Sequence, residues 1–518
     1  MRQYEVCELT FEGKQLEADF VHCRMQAEIT GGGDCVSVKA FYAGEGKYKV
    51  RFLPKQPGLY DWKLTGGSEY DIREEAGQIQ VEKAGEDAHG MVLAGNHHFR
   101  YEDGTPYYPF GTTVYALSHQ DAATTEDTFA SLADAPFNKV RMCVFPKDYR
   151  YNKNEPPFYA FEKTEDGRWD VNRPCFAFWD NLEEDIARLG KMGIQADLIL
   201  FHPYDRWGFS RLTMEENRTY LDYLLRRLAA FPNIWWSMAN EYDLCLAVKS
   251  LEDWEVLEEY TAANDPYHHL LSNHNCFVAW DFSRKNVTHV SYQTKRLGDV
   301  PMLYEKYQKP VVIDECCYEG NLPEFWGSIS GREMTARFWR VMTSGGYCTH
   351  GETFLDPEKD VVWWAKGGKL KGESPARIQF LKDLIYSLPS PLEPLVDGML
   401  GLVNLPPEQR GDLSGKGIMF QSLLMAVERM TPEEKQVFFA LEYCYKGHCG
   451  EDAYLYYYDT RTNALDTLSL PEDKTYRIEL IDTWAMTRET ILERASGTVT
   501  VSLPGREWMA VLATRISE

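Results

Sequence analysis

From about residue 91 to residue 390 the chain repeats one pattern, a short apolar run followed by a helical stripe. Nothing else in the sequence constrains the fold as tightly. Candidate strands lie around Val114, after Tyr108-Pro-Phe-Gly111, and at Lys139–Phe145, Gln195–Phe201, Asn233–Ala239, His269–Ser272, Val287–Tyr292, Pro310–Asp314 and Tyr347–His350. Helical spacing fills the gaps: Leu182, Ile186 and Leu189 follow an N-cap at Asp180, and Leu221, Leu224, Leu225 and Leu228 form an i, i+3, i+4, i+7 face. Ser374-Pro375 has the chemistry of a helix start, with Ile378, Leu381 and Ile385 giving the apolar face. Strands that are apolar on both faces belong in parallel sheets covered by helices. Eight such units in roughly 300 residues predict an α/β fold, the TIM (β/α)8 barrel with elaborated loops. The competing doubly wound sheet would carry a glycine-rich phosphate turn after its first strand, and this chain has none there.

The flanks read differently. Val36–Phe41 and Tyr48–Phe52 alternate apolar and polar residues and are set off by turns at Gly44-Glu-Gly46 and Gln56-Pro-Gly58, which predicts an N-terminal β-sandwich over residues 1–88. Ala84–Gly90 reads as the linker into a barrel spanning 89–392. The proline-rich Leu388–Pro394 marks the far boundary. Beyond it, Ala453–Tyr458, Tyr476–Ile481 and Trp508–Leu512 are strands by pattern, and a C-terminal β-sandwich is expected over 393–518.

A formal net charge of −24 opposes binding to nucleic acid or to an anionic membrane. The N-terminal residues lack an apolar signal core, and no run of about 18 apolar residues occurs, so a cytoplasmic protein that does not span a membrane is expected. Twelve irregularly spaced cysteines suit reduced thiols better than a disulfide framework. Cys444 and Cys449 bracket His448, but no second Cys/His pair lies nearby to complete a zinc site. No metal or other cofactor is expected. Self-association into a homo-oligomer stays open.

The fourth strand, Ile234-Trp-Trp-Ser-Met-Ala239, ends abruptly in Asn240-Glu241. A buried strand that delivers an amide and a carboxylate at its C-terminal end is how a barrel of this kind builds a site. The dipeptide alone says little, since one copy by chance is expected in about this length of chain; a second, Asn154-Glu155, lies in a loop before two prolines and reads as solvent-exposed. Pro310-Val-Val-Ile313 delivers Asp314-Glu315 in the same way. Glu241 and Glu315 thus face each other across one barrel mouth. Paired carboxylates flanking a scissile bond are the machinery of glycoside hydrolysis, one as acid/base and one as nucleophile.

This layout resembles the clan A glycoside hydrolases, in which the acid/base Glu follows Asn at the end of strand four and the nucleophile Glu ends strand seven. The resemblance implies those roles for Asn240-Glu241 and for Glu315. It also implies that Arg141 holds the nucleophile ionised and that Tyr292 is its tyrosine partner. With Gly44–Phe52, Trp363–Leu370 and Ile481–Trp484, the domain order is similar to that of apiosidase-like glycoside hydrolases, and the implied substrate is a glycoside or small plant-derived oligosaccharide. The first strand departs from many relatives in ending Thr113-Val-Tyr115 where they have Trp, so the sugar-contacting role falls to Tyr115.

Further polar groups sit at predicted strand ends: His202, Asp205 and Trp207 after the third, His274 after the fifth, His350 after the eighth, and Trp364 beyond it. Donors and acceptors beside flat aromatic faces suit sugar hydroxyls and rings. Each of these residues is equally readable as a satisfied structural contact. Cys316-Cys317 are expected as reduced thiols lining the pocket floor. The alternative function is a non-catalytic carbohydrate-binding barrel, which would use the aromatics without needing both carboxylates.

Overall fold

The computed structural model describes residues 1–355, 361–396, 402–403, 405–413, 415–439 and 444–516. Its centre is an eight-stranded parallel sheet, with β1 at Phe110–Thr113, β2 at Lys139–Cys143, β3 at Gln195–Phe201, β4 at Ile234–Ala239, β5 at Leu271–Ser272, β6 at Val290–Gln293, β7 at Val311–Glu315 and β8 at Tyr347–His350. Neighbours pair in sequence order from β1 to β5, while β8 joins β1 to β7 and β7 joins β6. Between β5 and β6 the ladder gives way to bridging contacts, among them Thr288 N donating to the Leu271 carbonyl at 2.9 Å and Ser272 Oγ to the His289 carbonyl at 2.7 Å. The result is a nearly closed TIM barrel. The first strand lies slightly earlier than the residues around Val114 would suggest.

Among the described residues, seven helices of eight residues or more wrap it: α1 (Ala122–Ala133), α2 (Phe176–Lys191), α3 (Met214–Leu228), α4 (Leu251–Asn264), α5 (Val300–Tyr307), α6 (Gly331–Thr343) and α7 (Ser374–Ser387). Their starts follow local chemistry. Thr213 and Glu216 form a reciprocal capping box on α3, and Ser250 and Asp253 do the same on α4.

Strand parity decides what fills the barrel. On β2, Lys139 and Arg141 point inward; Asp197 of β3 and Asp314 of β7 meet them, and Ser291 of β6 and Thr349 of β8 donate to Asp314. A side chain cannot stand where β1 passes this cluster: a Cβ on Gly111 would meet Thr349 Oγ1 at 2.6 Å and Lys139 Cε at 3.2 Å.

Both flanks are β-rich. At the N-terminal end a three-stranded sheet (Cys7–Glu12, Phe41–Tyr42, Lys47–Phe52) accompanies a four-stranded one (Gln26–Gly31, Asp34–Lys39, Gly58–Thr65, Ala76–Val81). At the C-terminal end a six-stranded sheet is built on Ala453–Tyr457, Tyr476–Asp482 and Met509–Arg515. The C-terminal region is β-rich as expected and also carries helices. Residues Ile418–Glu428 and Pro432–Phe439 are helical. The first is rich in good helix formers and buries Leu424 and Val427 one turn apart; the second starts on a box in which Thr431 and Glu434 exchange hydrogen bonds.

The flanks are pinned to the barrel by specific contacts. Arg51, from the N-terminal sheet, is buried against Glu183 of α2 at 2.7 Å and donates to the Arg227 carbonyl of α3. Arg227 Nε meets the same Glu183 at 2.5 Å. On the other side Trp339 of α6 stacks on Tyr457, with ring centroids 5.5 Å apart. Among the described residues no helix is long and apolar enough to cross a membrane.

Glu183 therefore bridges two buried guanidinium groups, with Glu8 completing the charge of Arg51 and Asp180 that of Arg227. Removing one partner of a buried pair costs about 3–5 kcal/mol because the remaining charge stays in low dielectric. Glu183→Leu should lower the unfolding free energy by an amount in that range, read as a lower denaturant midpoint at unchanged m. An unchanged midpoint would mean that the domain seam opens to water without resistance.

Candidate active site

The barrel interior carries a graded stack of charge. Lowest is Lys139, fully buried, its Nζ 2.8 Å from Asp197 and 2.7 Å from Asp314. Burial alone would push Asp314 up, but Lys139 and Arg141 outweigh it and hold the carboxyl far below the usual carboxylate range. Next stands Arg141, with Nε 3.4 Å from Asp197 and 3.9 Å from Asp314, and Nη1 3.9 Å from Glu315 Oε1. Above it are the two strand-end carboxylates.

Glu315 ends β7 and accepts a hydrogen bond from the Tyr115 hydroxyl. The same hydroxyl lies 3.1 Å from Asn240 Oδ1, and Asn240 Nδ2 lies 3.4 Å from Glu241 Oε2. A continuous buried run of polar groups thus links Glu315, Tyr115, Asn240 and Glu241. Tyr204 donates to Glu241 from the opposite side. Burial first, and the charge of Glu241 second, push Glu315 upward; Arg141, Lys147 and the Tyr115 hydroxyl work against both. The second push exists only while Glu241 is ionised, so a proton on Glu241 releases Glu315 from it.

Glu241 itself sits in left-handed backbone, φ 56° and ψ 58°. Such a conformation is uncommon for a residue with a Cβ and clusters at functional sites. It is held by His274: Glu241 N approaches His274 Nδ1 at 3.4 Å, and Tyr242 N donates to the His274 carbonyl at 2.9 Å. Burial and the charge of Arg141 keep the His274 imidazole neutral. With Nδ1 accepting, its proton is on Nε2, which has no hydrogen-bond partner among the described residues.

Of the residues expected at the mouth, the structure brings together Glu241, Glu315, Asn240, Arg141, Tyr115 and His274. Trp364 joins them through edge contacts with Tyr115 and Tyr149. His202 is buried nearby with Nε2 on the Phe145 carbonyl, and burial pushes its pKa down to about 4.

Other expectations are corrected. Tyr292 does not reach Glu315. Its neighbour Ser291 points inward to Asp314, so Tyr292 faces the helices and packs on Phe282. His350 is likewise outward, because Thr349 takes the inward position; its ring stacks on Phe137 and its Nδ1 pairs with Thr112. Asp205 spends its carboxylate on the amides of Trp207, Gly208 and Ser210, a loop-shaping role, and Trp207 donates from Nε1 to Glu155 rather than facing the pair. Cys316 lies 3.8 Å from Cys348, beneath α6 and under Arg337, not on the pocket floor.

Four neighbours of the pair were not singled out from the sequence: Tyr204, Tyr318, Lys147 and Cys276. Tyr204 lies in the His202–Trp207 segment, where its hydroxyl reach was the only available signal. Tyr318 lies against Glu315 and Tyr115, and the Cys276 thiol lies beside Glu241.

With this geometry in view, comparison with known proteins is informative. Residues 94–389 match the apiosidase-like catalytic domain. The chain belongs to the apiosidase-like family. Residues 1–66 and 442–514 match two domains of unknown function, DUF5060 and DUF5605. The crystal structure of a candidate glycoside hydrolase from Bacteroides vulgatus ATCC 8482 is 33% identical over 99% of each chain, with a TM-score of 0.83. A family 5 glycoside hydrolase from the same organism is 16% identical over 82% of this chain and 93% of its own, with a TM-score of 0.59, a likeness of fold alone. No curated protein matches. The barrel of this apiosidase-like protein is a glycoside-hydrolase catalytic domain.

The Tyr115 hydrogen bond favours the ionised form of Glu315. Its loss in Tyr115→Phe should raise the Glu315 pKa and move the acid side of the kcat/KM profile to higher pH. Superimposable profiles for the two proteins would argue against a charged acceptor at this bond.

Proposed function

We propose that the protein is a retaining glycoside hydrolase in which Glu315 is the nucleophile and Glu241 the acid/base, acting on a glycoside or small oligosaccharide. The observation that carries this reading is the buried run Glu315–Tyr115–Asn240–Glu241, which ties two strand-end carboxylates into one electrostatic unit. In the first step a Glu315 oxygen attacks the anomeric carbon while Glu241 gives its proton to the departing glycosidic oxygen; the C–O bond breaks and a glycosyl ester on Glu315 forms. In the second, Glu241 takes a proton from water, the resulting hydroxide attacks the same carbon, and Glu315 leaves as carboxylate. Arg141 and Tyr115 stabilise that carboxylate as attacker and as leaving group.

A panel of dinitrophenyl glycosides tests the assignment. Glu315→Gln should lose turnover on every substrate the wild type cleaves, and NMR of the first-formed sugar should report retained configuration. Inverted product would replace the double displacement by a single one.

The Glu241→Ala variant separates the roles. An activated leaving group needs little protonation, so the ester should form and accumulate, and azide should then release it as a glycosyl azide of retained configuration. Azide rescue of Glu315→Ala with a retained product, and none of Glu241→Ala, would exchange the two assignments.

A further inference from the structure

Lys147 follows β2 by four residues and is buried. Burial works against the charge of an ammonium, and a buried lysine persists where function or an unusual surrounding compensates. Here the surrounding is aromatic. Nζ stands 3.4 Å from the centroid of Tyr115, 4.1 Å from that of Tyr204 and 4.8 Å from that of Trp364, all inside cation–π range. The first two rings are the ones whose hydroxyls donate to Glu315 and to Glu241.

We propose that Lys147 is a positioning residue for the carboxylate pair: held between the rings of Tyr115 and Tyr204, its ammonium keeps Glu241 and Glu315 in the state that shares one proton. This rests on the functional reading above for its consequence in catalysis, though not for its physics. A cation over a phenol face draws density from the ring and makes the hydroxyl a stronger donor to its carboxylate. It also supplies charge. Among the described residues Lys139, Arg141 and Lys147 stand at the pair as cations, with burial working against the charge of Lys147 and Glu315 and Glu241 working for it, and Asp197, Asp314 and one carboxylate of the pair match them. Neutrality is reached when the pair of Glu241 and Glu315 holds one proton. The other groups facing Lys147 do not alter this. Burial keeps the Cys143 thiol protonated, with its pKa pushed up to about 12, and keeps His202 and His274 neutral. Tyr115, Tyr204 and Tyr318 are held as phenols, and Cys276 as thiol. Asp205 is saturated by backbone amides, and Asp148 faces Arg206 at 3.4 Å. Without Lys147 the mouth holds one uncompensated negative charge, and a second proton on the pair becomes the favourable way to remove it.

The test uses the full-length protein labelled with carboxyl-13C glutamate, with the Glu315 and Glu241 resonances identified by their loss in the Glu315→Gln and Glu241→Gln variants. In Lys147→Met, of similar length and without charge, the Glu315 carboxyl should titrate higher by roughly one unit or more, the size of effect expected for a charge at this range. Lys147→Arg should keep the wild-type titration, because it keeps the charge against the same rings. Coincident titrations in wild type and Lys147→Met would overturn the proposal, as would a Lys147→Arg titration displaced like that of Lys147→Met. Should Lys147→Met fail to fold, 15N NMR of Lys147 in the wild type decides: an ammonium at neutral pH is expected, and a neutral amine would overturn the proposal. None of these readouts needs a substrate. Inactivity of the wild type on every glycoside would therefore count against the hydrolase reading and leave the carboxylate coupling standing.

Discussion

A lysine ammonium with no access to water must find anions, and the barrel is arranged around that requirement. Lys139 finds two, Asp197 on β3 and Asp314 on β7. Asp314 also accepts from Ser291 on β6 and Thr349 on β8, so one buried carboxylate ties three neighbouring strands to a fourth across the interior. Such a cluster is poor evidence of net stability, because desolvation offsets much of the Coulomb gain. Its value is in register. A slip of one residue would turn every inward charge toward the apolar helix layer. With register fixed at the level of Lys139, Arg141 appears one inward position higher, and Glu315 follows Asp314 at the end of β7, where the pairing with β6 shifts register. The geometry of the mouth is inherited from the charge below it.

The residues that could be read from sequence were those whose signal is local. Gln195–Phe201 and Tyr347–His350 are apolar runs bounded by turns, and both are strands over those residues. Glu241 and Glu315 stand out because a carboxylate directly after a buried strand has few places to go. Side-chain direction was less legible. A parallel strand is apolar on both faces, so composition gives no clue to which residue faces the barrel axis. Tyr292 and His350 fell on the outward parity, and their inward neighbours Ser291 and Thr349 look unremarkable in the sequence. Tyr115, placed among the sugar contacts, turns out to be the hydroxyl on Glu315, the position expected of Tyr292.

Lys147 and Tyr204 lie on loops after β2 and β3, where only the folded chain brings them onto the pair. The helices in the C-terminal region had visible signals of their own. Thr431-Pro-Glu-Glu434 is a capping box with proline at the first position, and it was outweighed by the strand patterns further along the chain.

The left-handed backbone at Glu241 carries a consequence for anyone who mutates it. In that region of conformational space a Cβ is a burden of roughly 1–2 kcal/mol, which glycine avoids and which asparagine and aspartate bear more easily than alanine does. Substitutions at 241 therefore change two things at once, a carboxyl group and the ease with which the chain turns there. An alanine in place of Glu241 keeps the torsional burden while losing the contacts of the carboxylate with Tyr204 and Asn240; a glycine lets the turn relax and the loop from Tyr242 wander; a valine or isoleucine would push the turn toward another shape altogether. Asparagine stays nearest to the native backbone while deleting the acid. At this position the chemistry of the side chain and the mechanics of the main chain are separable only by choosing the replacement for its torsional preference.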